Sequence, residues 1–358
     1  MKAGWQVKPL GEVCTLQRGF DLPRQNRTPG DFPLISASGI IDTHNEGPIS
    51  GPGVVTGRSG SIGGVFFVED DFWPLNTTLY VRDFHGNNPR FVFHLLNFLD
   101  LKRFAGGTGV PTLNRNDVHS ETIHVPVSLS EQHHIAAVLD EAFDGIATAK
   151  ANAEKNLQNA RALLESHLQS VFTERGEGWA ETTVDKISTN LDSKRIPITK
   201  SDRKSGEYPY YGASGIVDYV NDYIFDGDAL LVSEDGANLL ARSTPIAFSV
   251  SGKYWVNNHA HILKFEHMAT QRFVEFYFAS IRLDEYITGA AQPKLNQKAL
   301  NSIPIPIPVS VVEQTAIIEH IELLQDETQR LESLYQQKLT ALDELKQSLL
   351  HQAFSGQL

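Results

Sequence analysis

Residues 127–172 read VSLSEQHHIAAVLDEAFDGIATAKANAEKNLQNARALLESHLQSVF. Apolar or small side chains return at Ile135, Leu139, Ala142, Ile146, Ala149, Ala153, Leu157, Ala160, Leu164, Leu168 and Val171, in steps of three and four. This spacing predicts one long helix with a single narrow apolar seam. Ser128 and Glu131 stand at the spacing of a capping box, in which serine and glutamate satisfy orphan amides reciprocally. From Glu131 to Phe172 such a helix spans about 63 Å, and its seam cannot be covered without a partner.

The same chain carries that partner. Ser310 and Glu313 repeat the capping box, and a second seam follows at Ile317, Ile321, Leu324, Thr328, Leu331, Tyr335, Leu339, Leu342, Leu345, Leu349 and Ala353. Two long helices packed antiparallel are the simplest arrangement that hides both seams.

The repetition extends to the rest of the sequence. Trp5 answers Trp179, and residues 31–42 (DFPLISASGIID) answer 207–218 (EYPYYGASGIVD) at an offset of 176. Past a six-residue insertion in the second half the offset becomes 182 and holds. Trp73 then pairs with Trp255, Asn76 with Asn258, residues 90–92 (RFV) with 272–274, Pro111-x-Leu113-Asn114 with Pro293-x-Leu295-Asn296, and Phe172 with Phe354. An offset constant over a hundred residues marks a duplicated unit of globular domain followed by long helix. Within each unit, short β-rich segments alternate with Gly, Ser, Asn and Asp turns (53–56, 64–68 and 78–81; 229–232, 245–250 and 260–265). One amphipathic helix is predicted near 88–104 and another near 269–287. Residues 303–308 (IPIPIP) must be extended, because alternating prolines forbid a helix or a central strand. The expected fold is therefore α/β of the α+β kind. Globular domains at 1–124 and 176–306 are joined by a central helix (125–175) and a C-terminal helix (307–358) into an antiparallel coiled coil.

The 358 residues, 41% hydrophobic and 21% charged, are those of an ordinary globular protein and exclude disordered and fibrous classes. No apolar run approaches the roughly 18 residues of a membrane span, and the N-terminus lacks a signal-peptide core. A lone cysteine, Cys14, forms no internal disulfide and fits a reducing cytoplasm. The formal charge is −12, and eight of those charges lie in the two helical stretches. The globular parts are near neutral and can present local basic faces.

No catalytic motif completes itself. Gly51-Pro-Gly53 and Gly107-x-Gly109 do not extend to a nucleotide-binding loop. Asn88-Pro89-Arg90-Phe91 departs from the Asn-Pro-Pro-aromatic loop of adenine methyltransferases, and its repeat counterpart at 270–273 loses the pattern. His133-His134 and His259-x-His261 lack a third ligand at metal-site spacing. What recurs is polar and loop-borne. In the first half the candidates are Arg18, Arg24, Arg27, Arg58, Ser59, Thr108, Thr112, Asn114 and Arg115. In the second they are Lys194, Arg195, Lys200, Arg203, Lys204, Arg242, Lys253, Gln292, Lys294 and Asn296. Arginine and lysine suit phosphates and guanine edges, asparagine and glutamine suit adenine.

Several local signatures complete the reading: Trp5-x4-Leu10-Gly11-Glu12-Val13 at the start, Ile123-x-Val125-Pro126 leading into Glu131-Gln132 and Ile135, the same succession at Ile303-Pro-Ile-Pro306, Glu313-Gln314 and Ile317, and the ending Leu349-Leu-x2-Ala353-Phe354. With the duplication, they resemble the specificity subunits of type I restriction–modification enzymes over essentially the whole chain. The second half departs from the pattern by opening Trp179-x4-Val184 without Leu-Gly-Glu.

The resemblance implies a subunit with no active site and no cofactor of its own. Each globular domain would read one half of a bipartite, asymmetric site in double-stranded DNA, and the helices would act as a ruler. They would also dock two modification subunits that bind S-adenosylmethionine and methylate adenine at N6. Restriction subunits using ATP and Mg would join that core. Helix pairing and docking would fall to Glu131, Gln132, Ile135, Leu139, Ile146, Leu157, Leu164, Leu168, Glu313, Gln314, Ile317, Ile321, Leu324, Leu331, Leu342 and Leu349. The acidic balance implies weak DNA binding by the isolated chain. The rival reading is a coiled-coil scaffold that binds proteins only.

Overall fold

The computed structural model describes residues 4–107, 109–289 and 291–358. It divides into two compact units, one formed by 1–154 with 336–358 and the other by 155–335. The expected boundaries at 124/125 and 306/307 are junctions within a unit, because each unit takes part of both long helices.

The first unit begins with strand Trp5–Pro9, which pairs antiparallel with Thr122–Pro126 just before the central helix. A four-stranded antiparallel sheet follows in the order Thr15–Arg18, Thr78–Asp83, Gly53–Gly57, Val65–Val68. A second sheet sets hairpin Phe32–Ser36/Gly39–His44 beside the short strand Trp73–Pro74. The second unit repeats this plan. Trp179–Thr183 pairs with Pro304–Pro308, and a sheet runs Ser188–Asn190, Ala260–Phe265, Ala229–Ser233, Ala247–Val250. Its hairpin sheet is Gly215–Val220, Ser205–Gly212, Lys253–Val256, Phe225–Asp226. The proline-alternating stretch is extended in a two-stranded sheet, where neither strand is central and the missing N–H groups cost no inner ladder.

The domain helices are shorter than the hydrophobic pattern suggests. Pro89–Phe98 starts at Asn88, whose side chain accepts the N–H of Phe91 at 2.8 Å, with Pro89 in the first turn. It ends where Asp100 takes a left-handed φ of 40° and the chain tightens into a 3-10 turn, Leu101–Phe104. Met268–Ser280 ends at Ile281, which is extended.

The long helices run Leu129–Thr173 and Val311–Ser355. In the first unit Lys150 meets Asp343 at 2.7 Å, and the Lys346 ammonium lies 5.0 Å from the Phe143 ring. In the second, Arg161 meets Glu332 at 2.9 Å, and the His167 and His320 rings are 4.9 Å apart. In both units the numbering rises along one helix as it falls along the other, so the pairing is antiparallel. Ile135, Leu139, Ile146 and Ile321 are buried. Leu157, Leu164, Leu168, Ile317, Leu324, Leu331, Leu342 and Leu349 are half-buried. Leu345 leaves the seam at 47% exposure, and the neighbouring Lys346 sets its ammonium over the Phe143 ring. Drift of a 3.6-residue helix against a 3.5-residue repeat accounts for that shift.

Each domain core is closed by the start of one long helix and the end of the other. In the first unit Ile135 and Leu139 join Leu10, Leu16, Leu79 and Phe91, and Phe354 packs 5.4 Å from Phe91. In the second, Ile318 and Ile321 join Val184, Leu263 and Phe273, and Phe172 lies 5.2 Å from Phe273. Leu10 and Val184 are both fully buried, so the second half replaces Leu-Gly-Glu without losing the plug. Among the described residues no helix is long and apolar enough to cross a membrane.

Candidate nucleic-acid interface

Three segments converge at the same place in each unit. In the first, loop 58–60 lies against 111–113: Leu113 N donates to Arg58 O at 2.8 Å, Gly60 N donates to Pro111 O at 3.0 Å, and Ser59 bridges Thr112. Arg18, at the end of its strand, stands 3.7 Å from Asp21. Asp21 accepts from the Asn76 amide, and Asn76 O accepts from Arg58 Nε at 3.2 Å. Arg18, Arg58, Ser59 and Thr112 are thereby gathered on one surface.

In the second unit, loop 234–236 lies against 293–295 through the corresponding bonds, Leu295 N to Glu234 O at 2.8 Å and Gly236 N to Pro293 O at 3.0 Å. Beneath them Arg195 reaches Glu234 at 2.7 Å, His261 reaches Asp192 at 2.5 Å, and Lys294 reaches Glu234 at 3.2 Å. Asp192, Glu234 and His261 approach closely enough to suggest a cation site. Here Arg195, 3.6 Å from Asp192, supplies the positive charge from within. Burial alone would raise both carboxyls. Burial is the largest single influence, but at Asp192 the bond and charge of His261, the Ile262 amide and Arg195 together outweigh it, as Arg195, His261 and Lys294 do at Glu234, and both are held below the usual carboxylate range.

A second recurrent element is the turn containing Arg24 and Arg27 and its counterpart with Lys200 and Arg203. Arg27 Nε donates to Leu22 O and Arg203 Nε to Ile198 O, each at 3.4 Å. Arg203 also lies 4.4 Å over the Tyr210 ring and 3.3 Å from Asp218. Arg24, Lys200 and Lys204 are exposed.

Two family-model matches, over residues 2–158 and 176–341, are to the type I restriction modification DNA specificity domain. The chain belongs to that family. It is 34% identical over 168 residues to a provisionally named type I restriction enzyme specificity subunit of Haemophilus influenzae, S.HindORF215P, covering 47% of this chain and 41% of that protein. It is 27% identical over 143 residues to the type I restriction enzyme EcoprrI specificity subunit of Escherichia coli, covering 38% and 35%. The chain thus matches less than half the length of these curated relatives. A chain solved for the structural basis of complex assembly and conformational transition of the type I R-M system superposes with a TM-score of 0.78 at 16% identity, covering 100% and 99%. The HsdS subunit from Thermoanaerobacter tengcongensis does so at 0.62 and 18%, covering 100% and 98%. At these identities the likeness is one of fold.

Within this specificity-domain fold, several residues expected at DNA are committed elsewhere. Asn114 and Asn296 are helix N-caps, accepting from Asn116 N at 3.1 Å and Ala299 N at 3.0 Å, and adenine is not needed to explain their repetition. Arg242 lies in the inserted segment of the second unit. It donates to Phe278 O at 2.9 Å and Ile281 O at 2.8 Å, pinning the insertion to the end of helix Met268–Ser280. Arg195, 14% exposed, serves the buried charge cluster. Lys253 lies 4.6 Å over Tyr223 while remaining exposed. Arg115, Lys194 and Gln292 are exposed, and Thr108 lies outside the described residues.

The Glu-Gln pairs were expected at the helix seam or on a docking face, and they turn inward instead. Gln132, 1% exposed, donates to Asn87 Oδ1 and Pro126 O and accepts from Asn88 N. Gln314, 4% exposed, donates to Pro308 O at 2.7 Å and accepts from Thr270. Asn88-Pro89-Arg90 is explained as a cap followed by an anchor: Arg90 pairs with Asp140 at 2.9 Å, as Arg272 pairs with Glu322 at 2.7 Å. Asp192, Glu234 and His261 were not anticipated as one group. Their sequence separations of 42 and 27 carry no local signal.

Proposed function

We propose that the chain is the non-catalytic DNA specificity subunit of a type I restriction–modification complex, each unit reading one half of a bipartite, asymmetric site. One observation carries this: the same loop-and-strand junction occurs twice in one chain with unlike side chains, Arg58 and Thr112 in one unit, Glu234 and Lys294 in the other. A duplicated frame with divergent surface loops fits two readers of different half-sites. Sequence is then read by groove contacts and DNA shape, with phosphates fixing the register.

The long helices set the spacing of the half-sites and dock two modification subunits that carry S-adenosylmethionine and methylate adenine N6. The docking face lies on residues exposed at both helix starts, Val127 and Leu129 in one copy and Val309 and Val312 in the other, at 49–80% exposure. An apolar patch that occurs twice suits a partner that binds twice. Restriction subunits with ATP and Mg complete the assembly in the cytoplasm.

The test is a base-modification map of the host genome with the gene intact and deleted. Loss of one split motif carrying N6-methyladenine in both halves is the expected result. If every methylated motif persists in a host that expresses the modification subunit, the protein-only scaffold reading replaces this one.

A further inference from the structure

Because Leu113 bonds Arg58 O where Leu295 bonds Glu234 O, Arg58 and Glu234 occupy one position of the junction, and Thr112 and Lys294 the other. Each unit therefore brings one cation to this junction, from opposite segments: the loop supplies Arg58 in the first unit, the strand supplies Lys294 in the second. We propose that the junction is a phosphate-backbone contact of each recognition domain, made by Arg58 and by Lys294, and that Glu234 is the positioning residue for Lys294.

The surroundings of Lys294 support this assignment. The Asp192 and Glu234 carboxylates are half-buried, with side chains 7% and 12% exposed, and Arg195 and His261 meet them from within. His261 Nε2 lies 2.8 Å from Leu295 O, which can only accept, while Nδ1 faces the Asp192 carboxylate. Arg195 meets Glu234 at 2.7 Å from within, and Lys294 shares that carboxylate at 3.2 Å from the surface, with its side chain 51% exposed. Glu234 fixes where the Lys294 charge stands.

Phosphate fits better than a base edge. The junction keeps one cation while both the residue type and the segment that delivers it change. A guanidinium fork and a point-charge ammonium are interchangeable towards a phosphate oxygen and are not so towards a purine edge. This inference rests on the specificity-subunit reading, and its test separates the two.

The experiment uses the full chain assembled with its modification subunits. Methyl transfer to a duplex bearing the native motif is measured together with DNA affinity across a salt series. Lys294→Gln and Arg58→Gln are each expected to weaken binding about tenfold and lower the salt slope by about one, with the methylated sequence unchanged. Lys294→Arg keeps both. Arg58→Glu weakens binding further, and adding Thr112→Lys, which copies the second unit's arrangement into the first, restores it. Glu234→Gln weakens binding, and combined with Lys294→Gln it costs no more than Lys294→Gln alone. Unchanged affinity and slope in both glutamine variants, a changed methylated motif, or failure of Thr112→Lys to restore binding overturns the phosphate assignment while leaving the specificity-subunit reading in place. If methylation by the wild-type assembly does not depend on this chain at all, both fall together.

Discussion

Trp5 Nε1 donates to Glu131 Oε1 at 2.9 Å across 126 residues of sequence, and Trp179 Nε1 donates to Glu313 Oε1 at 3.1 Å across 134. The opening strand of each domain is thus latched to the first turn of the long helix that leaves it. Gln132 and Gln314, one residue further on, latch the same turn to the closing strand and to the N-terminal end of the domain helix. The Glu-Gln pair is a joint between each specificity domain and the long helix that leaves it.

Truncating that joint should be costly. Gln132→Ala leaves the Asn88 N–H and the Pro126 carbonyl without their buried partner, each a polar group that desolvation penalises. The expected loss is about 2–4 kcal/mol, read as a lowered Tm and urea midpoint. A variant within 0.5 kcal/mol of wild type, about the range of ordinary surface substitutions, would show that the amide bonds are dispensable.

Acid should destabilise the charge cluster of the second unit. Asp192 and Glu234 are depressed below their ordinary values of 3.8 and 4.5. A depressed carboxyl stabilises the fold fully above its unfolded value and loses that contribution as the pH falls through the folded value. Stability should therefore drop below about pH 4.5, and Asp192→Asn should flatten the drop while lowering the plateau. Thermal melts between about pH 3 and 6 compare the two slopes.

The capping asparagines should affect stability and not sequence choice. Asn114→Ala and Asn296→Ala each remove a side-chain acceptor from the first turn of a short helix, worth about 1 kcal/mol. Methylated motifs mapped with these variants are expected to match the wild type. An altered base within either half-site would return the asparagines to the reading surface.

Spacing should follow helix length. The division between units falls at 154/155 in one long helix and 335/336 in the other. Four residues inserted at both places add about one turn, roughly 6 Å, to each helix. The unspecified spacer of the methylated motif is expected to lengthen by about two base pairs at 3.4 Å each, with both half-sites retained. Methylation of the unchanged motif would count against the ruler.

Cys14 should be chemically silent. It is fully buried, and burial pushes its thiol up to about 12. A thiol reagent at pH 8 is expected to label it only after denaturation.

The duplication, the two seams and the extended proline stretch were legible in the sequence, because each is fixed by local periodicity or by the backbone restriction of proline itself. The paired ends of Phe172 and Phe354 follow the same repeat, and tertiary packing placed them as the sequence pattern implied. The roles of the polar side chains were not legible, since a charged or amide group takes its role from a partner that folding supplies. Arg195, Arg242, Asn114 and Gln132 carry residue types that suit DNA, and long-range or capping bonds assign them to the fold. The exchange of Arg58 for Lys294 was hidden for the same reason. At offsets of 176 and 182 these two cations align with Glu234 and Thr112, and only the backbone bonds between loop and strand bring each charge to the same point.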